Sequence, residues 1–105
     1  MPEGHAWVLG VRPGYEDEYV RRHDALWPEM AATLKASGIT SYTIFRHGLT
    51  LFGYFETADL ATTIAYLRDD PVNARWSAHM ADIMVVEIDS RTGFPFLLPK
   101  QWSLS

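Results

Sequence analysis

The spacing of hydrophobic residues predicts a strand and then a broken helix in the first third of the chain. Residues 5–12 carry apolar or small side chains at both alternating sets of positions, so we expect a strand that is buried on both faces. Residues 16–37 show helical spacing and begin with acidic side chains, which complement the positive end of the helix dipole. Pro28 has no backbone N–H, so the helix is predicted to kink or restart near Trp27. Gly38 is the expected C-terminal stop.

The rest of the chain carries the patterns of a hairpin, two helices and a final strand. Apolar residues alternate on both sides of the His47-Gly48 turn, as in an antiparallel hairpin. Pro71 is expected at the first position of a helix, and Pro99 restricts the last strand to a sheet edge. The pattern at 85–88 fits either a helical extension or a strand. The predicted elements are strands at 41–47 and 50–56, helices at 57–70 (with Thr57 or Asp59 as the cap) and 71–84, and an edge strand at 96–104.

The order of these elements predicts an α+β fold, the ferredoxin-like β-α-β-β-α-β plait, formed by residues 1–105 as one domain. The helices of such a plait cover one face of a four-stranded sheet. The strands of this chain would place large apolar and aromatic side chains on the opposite face, where something must cover them. A second copy of the same sheet is the simplest cover, so we expect a two-fold homodimer.

Composition and charge narrow the classes of partner and of chemistry. The net charge is −4 and the 9 basic residues form no cluster, which argues against a nucleic acid or an anionic membrane as partner. There are no cysteines, which excludes thiol catalysis, disulfides and cysteine-based metal sites. The first residues lack the basic and apolar regions of a signal peptide, and no apolar run approaches ~20 residues. We therefore expect a cytoplasmic protein that does not span a membrane.

A row of aromatic and imidazole side chains distinguishes the first predicted helix. Tyr19 and His23 are four residues apart, so their side chains lie one above the other on the same face. Tyr15 extends the row by one turn in one direction, and Trp27 extends it in the other. An imidazole with an ordinary pKa of about 6.5 gives and takes protons at cellular pH, so His23 is the candidate acid–base residue.

The remaining histidines indicate neither a metal site nor a second catalytic group. His5 and His47 are expected in solvent, and His79 is expected on the surface, facing away from Trp76. No pair of histidines has the H-E-x-x-H spacing of a zinc motif and no carboxylate cluster completes one, so we predict no metal. The chain also lacks a glycine-rich phosphate loop and a Gly-x-Ser-x-Gly nucleophile motif. Arg22 is placed on a solvated face, although a role in orienting a substrate hydroxyl stays open.

Three segments in combination point to a known family: HDALWPE at 23–29, RW at 75–76 and MADIM at 80–84. The chain resembles the L-rhamnose mutarotase family over most of residues 5–84. The resemblance implies a dimeric α/β barrel and an isomerase that interconverts the anomers of a monosaccharide without a metal. By the same resemblance, His23 aligns with the family's proton donor. The residues that align with sugar-holding positions are Tyr19, Tyr42 and Trp76.

Two departures from the family pattern put the substrate in question more than the reaction. Ser77 stands where many members have a second tryptophan, so the sugar pocket is expected to be larger or to prefer a different sugar. Residues 87–104 also depart from the commoner endings. Related members resemble L-fucose mutarotases, so L-fucose or another sugar is the alternative to the 6-deoxy sugar L-rhamnose.

Anomer exchange opens and closes the sugar ring, which takes a proton from the anomeric hydroxyl and brings one to the ring oxygen. We predict that His23 protonates the ring oxygen, and such acid–base help is worth about 10²–10⁴ in rate. Tyr19 and Tyr42 are predicted to bond sugar hydroxyls, and Trp76 to stack on the sugar's apolar face. No cofactor is expected, because the reaction has no redox change. Two other functions stay open: a dimeric α/β-barrel monooxygenase, and a non-catalytic ligand-binding module.

Overall fold

A four-stranded antiparallel sheet with four helices on one face makes up most of the computed structural model, which describes residues 2–104. The strands are β1 (Glu3–Val11), β2 (Ile39–His47), β3 (Thr50–Thr57) and β4 (Met84–Val85). The helices are α1 (Glu16–Asp24), α2 (Pro28–Ala36), α3 (Leu60–Asp69) and α4 (Pro71–Met80). A small hairpin of β5 (Ile88–Asp89) and β6 (Phe94–Pro95) follows the sheet. None of these helices is long and apolar enough to cross a membrane.

The strands lie in the order β2-β3-β1-β4, and every neighbouring pair is antiparallel. This is the ferredoxin-like plait predicted from the sequence, with a pair of helices in each of its two helical positions. The α+β class is therefore confirmed. The β2–β3 hairpin is also confirmed, and its turn contains Gly48 at a φ of 60°, a backbone conformation that glycine adopts without strain.

The two faces of the sheet differ in burial. Trp7 and Phe55 point towards the helices and are buried. On the other face, Phe45, Phe52 and Val8 form a row across β2, β3 and β1 and stay exposed, with Phe45 at 62%. The prediction that β1 is buried on both faces is therefore wrong for the single chain, because the helices cover only one side of the sheet.

The break in the first helical region follows from Pro28. α1 ends at Asp24, and Pro28 takes the first position of α2, where its missing N–H would have no helical partner in any case. The predicted restart near Trp27 is thus confirmed. Tyr15 precedes α1 with a non-helical backbone and is exposed, so it does not extend the row of Tyr19 as predicted.

The end of the second helical region differs from the prediction. α4 ends at Met80 rather than at residue 84, and the chain then turns so that Ile83 is fully buried. The carbonyl oxygen of Ile83 accepts a hydrogen bond from the Arg12 N–H at 2.8 Å, which brings the next residues beside β1. Residues 84–85 are therefore the fourth strand, and 85–88 is not a helical extension.

The predicted edge strand at 96–104 is wrong. That segment has no regular ladder, and its contact with the sheet is one isolated bridge between Leu97 and Trp7. Pro99 follows this bridge by two residues, and its ring fixes φ near about −65°, far from the value of about −140° in an antiparallel strand, which disfavours a longer ladder.

Two aspartates define where α3 and α4 begin. The Asp59 side chain accepts a hydrogen bond from the Thr62 N–H at 3.1 Å, so of the two caps that the sequence allows, Thr57 and Asp59, Asp59 is the one that begins α3. The Asp70 side chain accepts from the Asn73 N–H at 2.8 Å, and Pro71 occupies the first position of α4 as predicted. The Asp70 cap thus sets the start of the helix that carries Trp76.

We expect Asp70→Ala to lower the free energy of unfolding by about 1 kcal/mol, because the first turn of α4 loses its side-chain acceptor. Asp69→Ala is the matched control, since Asp69 is exposed and forms only a long contact of 3.5 Å with the Arg68 side chain. Urea unfolding followed by circular dichroism measures both variants. Equal losses of stability would contradict the capping role of Asp70.

Candidate active site

His23 lies in the last turn of α1 and stacks on the ring of Tyr19, with centroids 4.3 Å apart. Its Nδ1 is 3.1 Å from the backbone carbonyl oxygen of Tyr19. A carbonyl oxygen only accepts hydrogen bonds, so Nδ1 carries the hydrogen and donates it. The neutral imidazole therefore keeps the lone pair of Nε2 free to accept a proton from a ligand.

The surroundings of His23 favour this neutral form. Burial lowers the pKa of His23 below its ordinary value, and the hydrogen bond to the Tyr19 carbonyl only partly opposes that effect. At neutral pH the ring is therefore a proton acceptor, and it becomes a proton donor after it has taken a proton. These are the two properties that a shuttle between two oxygen atoms requires.

Trp76 from α4 is buried at 8% exposure and lies between His23 and Trp27. Its indole meets the His23 ring edge-on at 5.4 Å and the Trp27 ring edge-on at 5.1 Å. Edge-to-face pairs at these separations are attractive beyond the area they bury. The aromatic row predicted on one helix is thus completed by a ring from another helix.

His79 was predicted to face away from Trp76, and this prediction is wrong. The His79 side chain is exposed, but its ring packs 5.5 Å from Trp76 and 5.3 Å from Trp27. His79 follows Trp76 by three residues on α4, a spacing that places both side chains on neighbouring parts of the same helix face. His47 is exposed as predicted, whereas His5 is half-buried with its ring 5.5 Å from Phe55.

Tyr42 extends from β2 on the helix-covered face of the sheet. Its hydroxyl oxygen accepts a hydrogen bond of 2.8 Å from the indole N–H of Trp7, and its ring lies 5.7 Å from Phe55. Burial raises the pKa of Tyr42 to about 12. Burial also raises the pKa of Tyr19, and the nearby Tyr42 adds to that rise. Both phenols therefore keep their hydrogen at neutral pH.

Arg22 holds α1 against the turn that follows α4. It bonds Glu18 on its own helix at 2.7 Å, and it bonds the Asp82 carboxylate at 2.8 Å and the His79 carbonyl at 2.7 Å. Its side chain is only 15% exposed, so a purely solvated Arg22 is a wrong prediction. These three partners use the donor groups of the guanidinium. Arg22 therefore stabilises the position of the helix that carries His23 against the end of α4.

The residues selected from the sequence lie together. Tyr19, His23 and Trp76 are linked by ring contacts, and Tyr42 packs against the same buried core as Tyr19 and Trp76. The combination offers one acid–base group, two phenol hydroxyls and an indole.

Within residues 2–104 no group of three or more His, Asp or Glu side chains lies close enough to hold a metal ion. An open depression of about 580 Å³ along α3 contains none of the residues of this site.

Sequence reasoning missed two members of the site. The sequence pattern places Trp7 only within the predicted strand at 5–12, and it predicts His79 on the surface. Alternation along β1 shows which face Trp7 occupies, but not that its N–H reaches Tyr42, 35 positions away. The i, i+3 spacing of His79 and Trp76 was the available signal for the second residue.

A family profile, two related sequences and a solved structure that resemble this chain are all described as L-rhamnose mutarotase. A family profile described as L-rhamnose mutarotase matches residues 4–98. A protein of that name from Rhizobium leguminosarum bv. trifolii is 44% identical over 90 residues, which is 84% of either chain. Another from Opitutus terrae is 47% identical over 81 residues, 75% of this chain and 77% of its own. The crystal structure of L-rhamnose mutarotase from Formosa agariphila matches with a TM-score of 0.75 at 28% identity, over 98% of this chain and 97% of that one. The resemblance seen in the sequence is confirmed.

We expect NMR of ¹⁵N-labelled histidine to show that His23 titrates below its ordinary pKa of about 6.5 and is the Nδ1–H tautomer when neutral. Burial disfavours the charged ring, so the charged form appears only at lower pH. His23→Asn assigns the signal by removing it. An Nε2–H tautomer, or a midpoint above 6.5, would contradict the geometry described for His23.

Proposed function

This chain belongs to the L-rhamnose mutarotase family, and we propose that it interconverts the α and β anomers of L-rhamnose through proton transfer at His23. Family membership makes it an isomerase that acts on a carbohydrate. The observation that carries the proposed mechanism is the state of the imidazole. Its Nδ1 is held by the Tyr19 carbonyl, and its Nε2 has no partner among residues 2–104.

Anomer exchange moves one proton from the anomeric hydroxyl to the ring oxygen and then reverses. Nε2 of His23 accepts the anomeric proton as the bond between the anomeric carbon and the ring oxygen breaks. The resulting imidazolium gives the same proton to the former ring oxygen, which leaves an open-chain aldehyde. The aldehyde rotates and the ring closes on its other face. One imidazole thus acts as base and then as acid, and no electrons are exchanged, so we expect no cofactor.

The neighbouring residues would hold the sugar. Tyr19 and Tyr42 offer hydroxyls that stay protonated at neutral pH and therefore donate hydrogen bonds to sugar oxygens. A sugar beside His23 also contacts the Trp76 indole, which binds apolar C–H groups and does not distinguish the two anomers. Such tolerance suits an enzyme that must accept both anomers.

Ser77 bears on the choice of sugar. It follows Trp76 on α4 and is exposed. Because a serine cannot supply the stacking ring found in many family members, we propose that the site accepts L-fucose or another sugar as well as L-rhamnose. One missing apolar contact changes discrimination by only about 1–3 kcal/mol, so the preferred sugar shifts more readily than the reaction.

We also propose a homodimer joined through the outer face of the sheet. The exposed apolar side chains on that face are Val8, Phe45, Phe52, Tyr54 and Val85. They come from four neighbouring strands and form one continuous patch. A patch of this kind on a monomer favours association, and a second copy of the same sheet meets it under two-fold symmetry.

We expect the protein to accelerate exchange between the α and β anomeric protons of L-rhamnose, measured by NMR saturation transfer. His23→Asn should lower the exchange rate about 10²–10⁴-fold, because the acid–base group is lost, and should leave sugar binding largely intact. His47→Asn is the matched control, since His47 is an exposed histidine at the β2–β3 turn. The same assay on L-fucose and other 6-deoxy sugars ranks the substrates.

The pH dependence follows from the same residue. Protonated His23 cannot accept the anomeric proton, so kcat/KM should fall in acid, with a midpoint below about 6.5.

Unchanged exchange in His23→Asn would overturn the role of His23. Binding without acceleration of any sugar would instead indicate a binding module, and oxygen uptake with an aromatic substrate would indicate a monooxygenase.

Phe45→Glu is expected to convert the dimer to a monomer, because it places an unpaired charge within the apolar patch on the outer sheet face, where the second copy would bury it. Sedimentation equilibrium measures the mass. Tyr66→Glu is the control, since Tyr66 is a comparably exposed aromatic residue on α3. A wild-type protein that sediments as a monomer would contradict the proposal.

A further inference from the structure

The indole of Trp7 packs directly against β3 at Gly53. The two residues face each other in the β1–β3 register, and both belong to the helix-covered side of the sheet. A Cβ atom built on Gly53 would overlap Cε2 and Cζ2 of the indole. Gly53 does not have a positive φ, so its role is to leave space rather than to permit an unusual backbone. Any larger residue at this position would displace Trp7.

Because Gly53 leaves this space, the indole reaches over β3 to the next strand. Gly53 pairs with Trp7 on one side and with Ile44 of β2 on the other. Tyr42 lies on the same face of β2, two residues before Ile44, and the Trp7 N–H meets its hydroxyl oxygen at 2.8 Å. Trp7 is 4% exposed and the Tyr42 ring packs on Phe55, so both partners are held by their surroundings.

This hydrogen bond determines how Tyr42 can act. An indole N–H is only a donor, so the Tyr42 oxygen must be the acceptor. The hydroxyl hydrogen of Tyr42 then points elsewhere, and the bond from Trp7 is the one side-chain hydrogen bond that this hydroxyl makes among residues 2–104. The Tyr42 oxygen thus already accepts a hydrogen bond from Trp7, and the hydroxyl hydrogen remains available to be donated to a ligand.

We propose that Trp7 is a positioning residue that, in the space left by Gly53, orients Tyr42 to donate a hydrogen bond to an oxygen atom of the bound sugar. The inference rests on the proposed function, since it specifies how that site recognises its substrate. A phenol hydroxyl without a fixed partner rotates and can either donate or accept. With Trp7 donating to its oxygen, Tyr42 directs its own hydrogen to an oxygen atom of the sugar.

A double-mutant cycle tests this coupling. Trp7→Phe keeps an aromatic ring but removes the N–H, and should raise KM for the sugar about three- to tenfold with kcat nearly unchanged, as expected for one neutral hydrogen bond. Tyr42→Phe should raise KM by at least as much. In the Tyr42→Phe background, Trp7→Phe should raise KM no further, because the group that it orients is already gone.

Gly53→Ala tests the space that the indole occupies. The added methyl group should displace the indole, raise KM as Trp7→Phe does, and lower the melting temperature. The smaller ring in the combined Trp7→Phe and Gly53→Ala variant should recover much of that lost thermal stability. Gly10→Ala is the control, because a Cβ there meets Val85 on the outer face of the sheet rather than Trp7.

A readout without sugar separates the failure of this inference from the failure of the proposed function. In the free protein, Tyr42→Phe should shift the indole N–H resonance of Trp7, which Trp7→Phe assigns, and should speed its exchange with water. Two results would overturn the role of Trp7 alone, provided that the wild type is active. One is a Trp7 resonance that Tyr42→Phe does not shift, and the other is that Trp7→Phe and Tyr42→Phe raise KM independently of each other. A wild type that exchanges the anomers of no sugar overturns the proposed function and this role together.

Discussion

The hydrogen bond from His23 Nδ1 to the carbonyl oxygen of Tyr19 is the interaction on which the rest of the site depends. It joins two residues one helical turn apart, so the helix itself sets its geometry. It fixes the tautomer of the ring and leaves Nε2 as the reactive nitrogen. It also holds the ring over Tyr19, so the acid–base group and a phenol are presented by one short segment.

Tyr19 and His23 can act together with Trp76 only if the position of α1 relative to α4 is fixed. Two sets of contacts hold it there. The Trp76 ring packs against His23 and is itself packed against Trp27, and burial lowers the pKa of the imidazole. On the solvent side, Arg22 ties α1 to Asp82 and to the backbone of His79, beyond the end of α4. The hydrophobic and ionic contacts thus join the same two helices.

The sheet serves a different purpose on each face. The inner face places Tyr42 under the helices, and the flat Trp7 indole crosses β3 to contact it. The outer face carries an apolar patch that the single chain does not cover. A two-residue period along each strand separates these roles, because neighbouring side chains point to opposite faces. One short sheet can therefore support a site and present a surface for a second copy.

The sequence by itself determined the order of the first three strands and of the helical regions, the α+β class, the restart at Pro28 and the family. These depend on short-range rules: hydrophobic period, proline geometry and motif spacing. It also selected Tyr19, His23, Tyr42 and Trp76, the last two through the resemblance to the family. Local patterns failed at the C-terminal end, where the two-residue strand at 84–85 exists only because β1 is beside it. A strand that short has no period of its own to detect.

Only the tertiary structure decided which residues meet across elements. The Trp7–Tyr42 hydrogen bond depends on strand register and on the absence of a side chain at Gly53, and neither is visible in β1 alone. The packing of His79 on Trp27 and the bond from Arg22 to Asp82 join residues more than 50 positions apart. Such contacts depend on how helices and strands pack, so local spacing identifies the candidate residues and tertiary packing decides their partners.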